Sequence, residues 1–102
     1  MTDERIERIK AMESKYDKVK PKIEEFRQKL DEMKQLYDDM KILSDYYSGQ
    51  WKSDYEADEE GKIPKDLKRG VLGQDILYDL FTDYNEIGED MQNLSDNIKK
   101  LK

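Results

Sequence analysis

The chain contains no cysteine and no histidine among its 102 residues. The absence of cysteine excludes disulfides, cysteine metal sites and thiol nucleophiles. The absence of histidine removes the commonest general base and the commonest transition-metal ligand. We therefore expect a protein that is not an enzyme and that carries neither a metal nor a cofactor.

The chain also lacks long apolar runs. No run approaches the roughly 20 residues that a helix needs to cross a bilayer, and the opening MTDERIERIK has no apolar segment typical of a signal peptide. The formal net charge of −6 disfavours nonspecific binding to nucleic acid or anionic lipid. We expect a cytoplasmic protein without direct nucleic-acid or membrane partners.

Charged residues make up 43% of the chain and hydrophobic residues only 35%, a balance close to that of disordered proteins. The spacing of the apolar residues predicts order instead, because they recur at alternating steps of three and four, as in a helix of a coiled coil. This first seam consists of Ile9, Met12, Tyr16, Val19, Ile23, Phe26, Leu30, Met33, Tyr37, Met40 and Tyr47, and Ser44 interrupts it.

Pro21 lies inside the first seam. A proline in a helix interior removes one backbone hydrogen bond and clashes with the preceding turn. The chain either breaks at Lys20-Pro21, so that Pro21 begins a second helix, or continues as one kinked helix. Because the seam keeps its phase through Pro21, we favour one long helix over 1–48, kinked near Pro21.

A second seam of the same spacing predicts a long helix over 75–101. Its members are Leu77, Leu80, Tyr84, Ile87, Met91, Leu94, Ile98 and Leu101. Most residues that flank the first seam are basic, namely Arg8, Lys15, Lys20, Lys22, Arg27, Lys29, Lys34 and Lys41. The second seam is flanked by Asp83 and Asp90, so the charges favour pairing of the two seams over pairing of the first seam with itself.

The segment between the seams carries the one tryptophan of the chain, in WKSDYEADEEGKIPKDLKRGVLGQD. Its apolar residues suit a lid over the end of a helix pair, and we expect 49–74 to form a capping connector. Residues 50–60 are expected to form a short helix with Trp51 and Tyr55 on one side.

Together these patterns predict an all-α single domain over 1–102. The expected architecture is an antiparallel two-helix coiled-coil hairpin with short helical segments capping the closed end. The second helix is the shorter of the two, so the start of the first seam should be left exposed. The candidates for self-association or for binding a protein partner are therefore Ile9, Met12, Tyr16 and Val19.

Three charged segments allow sharper hypotheses. KDLKRG could hold an anion or a nucleotide-like ligand through Lys65, Lys68 and Arg69. It matches no phosphate-binding loop, and ion pairs that fix the connector are the simpler interpretation. DYEADEE, residues 54–60, could bind Ca²⁺ or Mg²⁺ weakly, but a solvated acidic face is the simpler interpretation. The third segment is an acidic ridge of Glu24, Glu25, Asp31, Glu32, Asp38, Asp39 and Asp45.

The acidic ridge allows an alternative function, because a row of carboxylates can imitate the phosphates of DNA and inhibit a nucleic-acid-binding protein. A solvated helix face with intrahelical ion pairs explains the ridge without a partner. A non-catalytic helical module for self-association or protein binding is the function that the sequence favours. A small anion-binding module is the main alternative.

The run from DYY through W-x-x-DYEADEEGKIPKDLKRGVLGQDILYDLF resembles a family of small bacterial proteins, the domain of unknown function numbered 4298. The matching residues are Tyr46, Tyr47, Trp51, Asp54, Tyr55, Asp58, Gly61, Pro64, Asp66, Leu67, Lys68, Arg69, Gly70, Val71, Leu72, Asp75 and Tyr78. Gly73 departs from the serine usual in the family. The resemblance implies a bacterial cytoplasmic origin, and it supplies no mechanism because the family has no assigned activity. It also implies one polar cluster beside the aromatic pair, formed by Asp54, Asp66, Lys68 and Arg69 with Trp51 and Tyr55.

Overall fold

The computed structural model describes residues 3–101, and within this range the chain is helical with no strand. The elements are α1 (Glu4–Gln35), α2 (Tyr37–Ser48), α3 (Trp51–Glu59), a 3-10 turn (Gly70–Leu72) and α4 (Ile76–Lys99). The all-α class is thereby confirmed. The chain divides into two compact units between Asp39 and Met40, so each unit is described by itself.

α1 begins at a side-chain cap. Asp3 precedes the helix, and its carboxylate accepts a hydrogen bond from the backbone N–H of Arg5 at 2.9 Å. Such a cap satisfies one of the N–H groups that have no partner in the first turn. Glu4 and Glu7 add negative charge where the helix dipole favours it.

The expected continuous helix over 1–48 is corrected to two helices, and residues 1 and 2 of that range lie outside the described residues. α1 runs through Pro21 without ending there. The division falls at Leu36, whose N–H is shared between the carbonyls of Glu32 and Met33, both at 3.2 Å. A shared bond of this kind tightens the last turn of a helix, and no sequence signal marks Leu36 as Pro21 is marked.

α1 presents most of its apolar seam to solvent: none of its residues is buried, although Leu30 and Met33 are partly covered. The exposed fraction of the seam residues Ile9 and Val19 is 59% and 50%, respectively. Ion pairs between residues three apart, such as Lys22–Glu25 at 3.4 Å, lie on the helix surface. Exposed pairs contribute under about 1 kcal/mol, so the order of α1 does not derive from packing within its own unit.

In the second unit, α3 is the short helix expected over 50–60. It ends at a glycine cap, in which Gly61 has a φ of +75°. The N–H of Lys62 bonds the carbonyl of Ala57 at 2.9 Å, and the N–H of Gly61 bonds that of Asp58 at 3.0 Å. This pair of bonds is the Schellman arrangement, in which glycine supplies the left-handed residue.

The core of the second unit lies where the 3-10 turn meets α3 and α4. Leu72 and Leu77 are the buried hydrophobic residues in the described part of the chain. Gly73 lies between them, and a Cβ there would lie 2.6 Å from Cγ1 of Ile76. A larger residue at position 73 would therefore force Ile76 to shift at the entry into α4.

α4 corresponds to the helix predicted over 75–101 and is shorter by a residue or two at each end. Its seam residues Leu80, Ile87 and Leu94 are exposed. Among residues 3–101, no helix combines the length and the apolar character that crossing a bilayer requires.

Candidate functional site

Four aromatic rings form a cluster in the second unit. Trp51 opens α3 and stacks on Tyr55 one turn later, with ring centroids 5.1 Å apart and planes at 17°. Tyr47 of α2 meets Trp51 edge-on at 5.2 Å and Phe81 of α4 at 5.6 Å. Offset and edge-on pairs of this kind stabilise a fold by about 0.5–1.5 kcal/mol each beyond the area they bury, so these rings tie three helices together.

The indole of Trp51 also joins α3 to the 3-10 turn. Its Nε1–H donates to the backbone carbonyl of Val71 at 2.9 Å. A half-buried indole N–H needs an acceptor, and a carbonyl of the turn supplies it. Trp51 therefore stabilises this unit in two ways, by packing against neighbouring rings and by a hydrogen bond to the 3-10 turn.

A tyrosine–carboxylate pair lies beside the rings. The hydroxyl of Tyr46 donates to Oδ2 of Asp54 at 2.7 Å. Burial, together with the hydrogen bond to the Asp54 carboxylate and its charge, raises the pKa of Tyr46 from 10.0 to about 12. Tyr46 is thus held protonated as a donor, which suits a structural bond between α2 and α3.

Arg69 fixes the connector between α3 and the 3-10 turn. Its Nε lies 3.2 Å from Oδ1 of Asp58, and both side chains are mostly covered. Its Nη1 donates to the carbonyl of Pro64 at 2.9 Å and approaches that of Ile63 at 3.5 Å. A planar guanidinium can bind a carboxylate and carbonyl groups at once, so the donors of Arg69 are directed at its own chain.

The polar cluster implied by the family resemblance is divided in the structure. Trp51, Asp54 and Tyr55 share α3, and Arg69 joins that helix through Asp58. Asp66 and Lys68, which we expected in the same cluster, are exposed and form no ion pair with a residue of the described range 3–101. Lys65, the remaining cation of the suggested anion site, is exposed as well. The ligand-binding role of these residues stays a prediction.

An open groove of about 590 Å³ runs between α3 and the start of α4. It is lined by Tyr55, Asp58, Glu59, Arg69, Gly70, Leu72, Gly73, Gln74 and Ile76. Its one guanidinium is already paired with Asp58. An anion entering the groove would have to displace that carboxylate, which makes the groove a poor anion site.

The acidic segment 54–60 distributes its carboxylates over different partners. Asp54 accepts from Tyr46, Asp58 pairs with Arg69, and Glu60 pairs with Lys62 at 2.7 Å. Within residues 3–101, no three acidic side chains converge as a metal ion would require. Three carboxylates of this segment therefore bind neighbouring side chains and do not form a metal site.

The candidates for self-association lie on one exposed stripe of α1. They are Ile9, Met12, Tyr16 and Val19, each with half or more of its surface exposed. A shallow depression beside Val19 continues to Ile23 and Arg27. The ammonium group of Lys20 lies 5.7 Å from the ring centroid of Tyr16, so the flanking lysine covers part of the stripe.

The sequence profile described as Domain of unknown function (DUF4298) matches residues 9–99. The chain belongs to this family. No curated protein and no solved structure matches the chain. The DUF4298 match begins at the first seam residue, Ile9, and ends at the last residue of α4, Lys99. The first seam, the second seam as far as Ile98 and the aromatic cluster thus lie within the matched range, and the family description assigns no activity to it.

Sequence reasoning missed several partners in the DUF4298 cluster. The sequence does not indicate that the hydroxyl of Tyr46 bonds Asp54. Asp58 was assigned to a solvated acidic face, whereas it pairs with Arg69. The acceptor on Val71 is a backbone carbonyl, so no side-chain pattern could have indicated it.

Proposed function

We propose that the protein is a non-catalytic, cytoplasmic helical module that acts by pairing the apolar seam of α1 with another helical seam. The α1 seam can pair within its own chain, as in the antiparallel hairpin expected from the sequence. It can also pair with a helix of a protein partner or of a second copy. The exposed apolar stripe of α1 is the observation that carries the proposal.

The energy available from this stripe is substantial. Six of its residues, Ile9, Met12, Tyr16, Val19, Ile23 and Phe26, are 50–59% exposed. Covering the exposed half of an aliphatic or aromatic side chain contributes on the order of 1 kcal/mol. Binding of a helix that covered all six residues would be favoured by several kcal/mol. Single exposed apolar residues are common on protein surfaces, but a continuous stripe of six indicates a binding surface.

The chemistry of the second unit supports a non-catalytic role. The chain has no histidine and no cysteine. The polar side chains described beside the aromatic cluster are Tyr46, Asp54, Asp58 and Arg69. Each of these groups is bonded within the chain. We infer that the cluster has a structural role: it holds α2, α3 and α4 together.

Two matched variants of the full chain test this proposal. In Met12→Glu/Val19→Glu, two charges enter the seam, and in Ala11→Glu/Ser14→Glu the same two charges enter the outer face of α1. The measurements are the mass in solution by light scattering over a concentration series and the melting temperature by circular dichroism.

Seam pairing predicts that the seam variant loses mass, thermal stability or both, and that the outer-face variant behaves as the wild type. Loss of stability at unchanged mass indicates pairing within the chain, and loss of mass indicates pairing between chains. If both variants matched the wild type in both measurements, the seam would have no binding role and the proposal would fail.

A further inference from the structure

The flanking charges of α1 restrict what its seam can bind. The positions on either side of residues 16–30 are occupied by Lys15, Lys20, Lys22, Arg27 and Lys29. A second α1 would oppose these cations with its own in either orientation, and like charges across a helix pair are unfavourable. The seam therefore selects a helix whose flanks are acidic or neutral.

α4 is such a helix. Its flanking positions carry Asp83 and Asp90 on one side and Phe81, Gly88 and Ser95 on the other. The two aspartates are exposed and form no ion pair with any residue of the described range 3–101. α4 thus offers an apolar seam with acidic flanking residues, whereas the residues that flank the α1 seam are basic.

One antiparallel register satisfies both the seams and the flanks. It sets Lys22 opposite Asp90 and Lys29 opposite Asp83. Lys22 and Lys29 now pair only with exposed glutamates of α1, at 3.4 and 3.3 Å, so little is lost when they change partner. In this register the layers along α4 beyond its buried residue Leu77 are all apolar: Leu30–Leu80, Phe26–Tyr84, Ile23–Ile87, Val19–Met91, Tyr16–Leu94 and Met12–Ile98.

The same register is not available within one chain. In the second unit, Tyr47 already contacts Phe81, with ring centroids 5.6 Å apart. An antiparallel hairpin that continued from this contact would set Leu43, and no lysine, opposite one of the two aspartates. In that hairpin, α4 would also end before it reached Val19, so the seam around Val19 would stay uncovered.

We infer that the partner of the α1 seam is the α4 seam of a second copy, packed antiparallel in the register that sets Lys22 opposite Asp90. This inference rests on the proposed function and names its partner. The α1 and α4 seams are different surfaces, so the interface is heterologous. A complex held by one such contact therefore keeps one unpaired α1 seam and one unpaired α4 seam. These can bind further copies, or pair with each other so that the oligomer is closed.

The heterologous interface can be tested by complementation. One full-length variant carries Met12→Glu/Val19→Glu and keeps α4 intact. The other carries Met91→Glu/Leu94→Glu and keeps α1 intact. We expect the mass of each variant alone, by light scattering, to be that of a monomer at concentrations where the wild type associates, and the equimolar mixture to form a complex of one copy of each.

A monomeric mixture would overturn the inference, and so would undiminished association of the Met91→Glu/Leu94→Glu variant alone, which would indicate pairing of α1 with α1. A wild type that stayed monomeric at every concentration would overturn it too. The proposed function would survive that last result if the seam variant lost thermal stability, because pairing within the chain would then explain the exposed stripe.

Exposed charge reversals provide a second test that does not depend on seam substitutions. Asp83→Lys/Asp90→Lys should weaken association about tenfold, because two attractive pairs become repulsive. Addition of a Lys22→Glu/Lys29→Glu copy should restore most of the affinity. If the reversed copy bound no better to that variant than to the wild type, the proposed register would be wrong.

Discussion

Replacement of Trp51 by alanine should destabilise the second unit more than any other single truncation of an aromatic side chain. The substitution removes the stack on Tyr55 at 5.1 Å, the edge contact with Tyr47 at 5.2 Å and the bond to the Val71 carbonyl at 2.9 Å. Two aromatic pairs at about 1 kcal/mol each and one hydrogen bond at about 1 kcal/mol predict a loss of about 3 kcal/mol in the free energy of unfolding.

Trp51→Phe separates the polar contribution from the apolar one. A phenyl ring keeps much of the stacking and loses only the indole N–H, so the expected loss is about 1 kcal/mol. Tyr78→Ala is the matched control, because Tyr78 is 59% exposed and belongs to no aromatic pair of the described chain. We expect it to change the stability by less than about 0.5 kcal/mol.

Urea unfolding followed by far-ultraviolet circular dichroism measures all three variants, and a constant m-value would show that only the stability has changed. A loss below about 0.5 kcal/mol for Trp51→Ala would refute the structural role of the cluster. Equal losses for the alanine and phenylalanine variants would show that the indole bond, and not ring packing, carries the contribution.

Three further substitutions test local features. Tyr46→Phe should be less stable than the wild type below about pH 10, because the folded wild type keeps the hydroxyl proton that binds Asp54. The difference in the free energy of unfolding should vanish as the pH rises to about 12, the raised pKa of Tyr46. A difference that did not change with pH in urea titrations would contradict this. Gly88→Ala should raise the stability by up to about 1 kcal/mol, since Gly88 is inside α4 and open space surrounds a Cβ there. Gly73→Ala should lower the stability, because a Cβ there would lie 2.6 Å from Cγ1 of Ile76; opposite signs in calorimetric melts would count against both assignments.

The periodicity of the sequence was a good guide to the helices. The seams predicted helical segments that agree with α1, α2 and α4 to within a few residues, except that the first segment is divided at Leu36. That division could not be predicted, because it depends on one N–H shared between two carbonyls. Proline is conspicuous in a sequence, yet the helix continues through Pro21 and ends at Gln35, fourteen residues later.

The candidate site was harder to predict than the helices. The pairing of Trp51 with Tyr55 follows from their spacing of one turn, which a single sequence shows. The partner of Arg69 is Asp58, eleven residues earlier in α3, and not Asp66, three residues away. Contacts of this kind depend on backbone geometry in a connector, where charge patterns do not determine which acid meets which base.

The most direct measurement of seam pairing is disulfide formation between single cysteines, which the cysteine-free chain permits. Ile23→Cys and Ile87→Cys occupy facing positions of one layer in the proposed register. On mild oxidation, we expect an equimolar mixture of the two variants to give a covalent dimer of one copy of each, faster than either variant alone. Equal rates of crosslinking in the mixture and in the separate variants, or no crosslinking at all, would contradict the pairing of α1 with the α4 of a second copy.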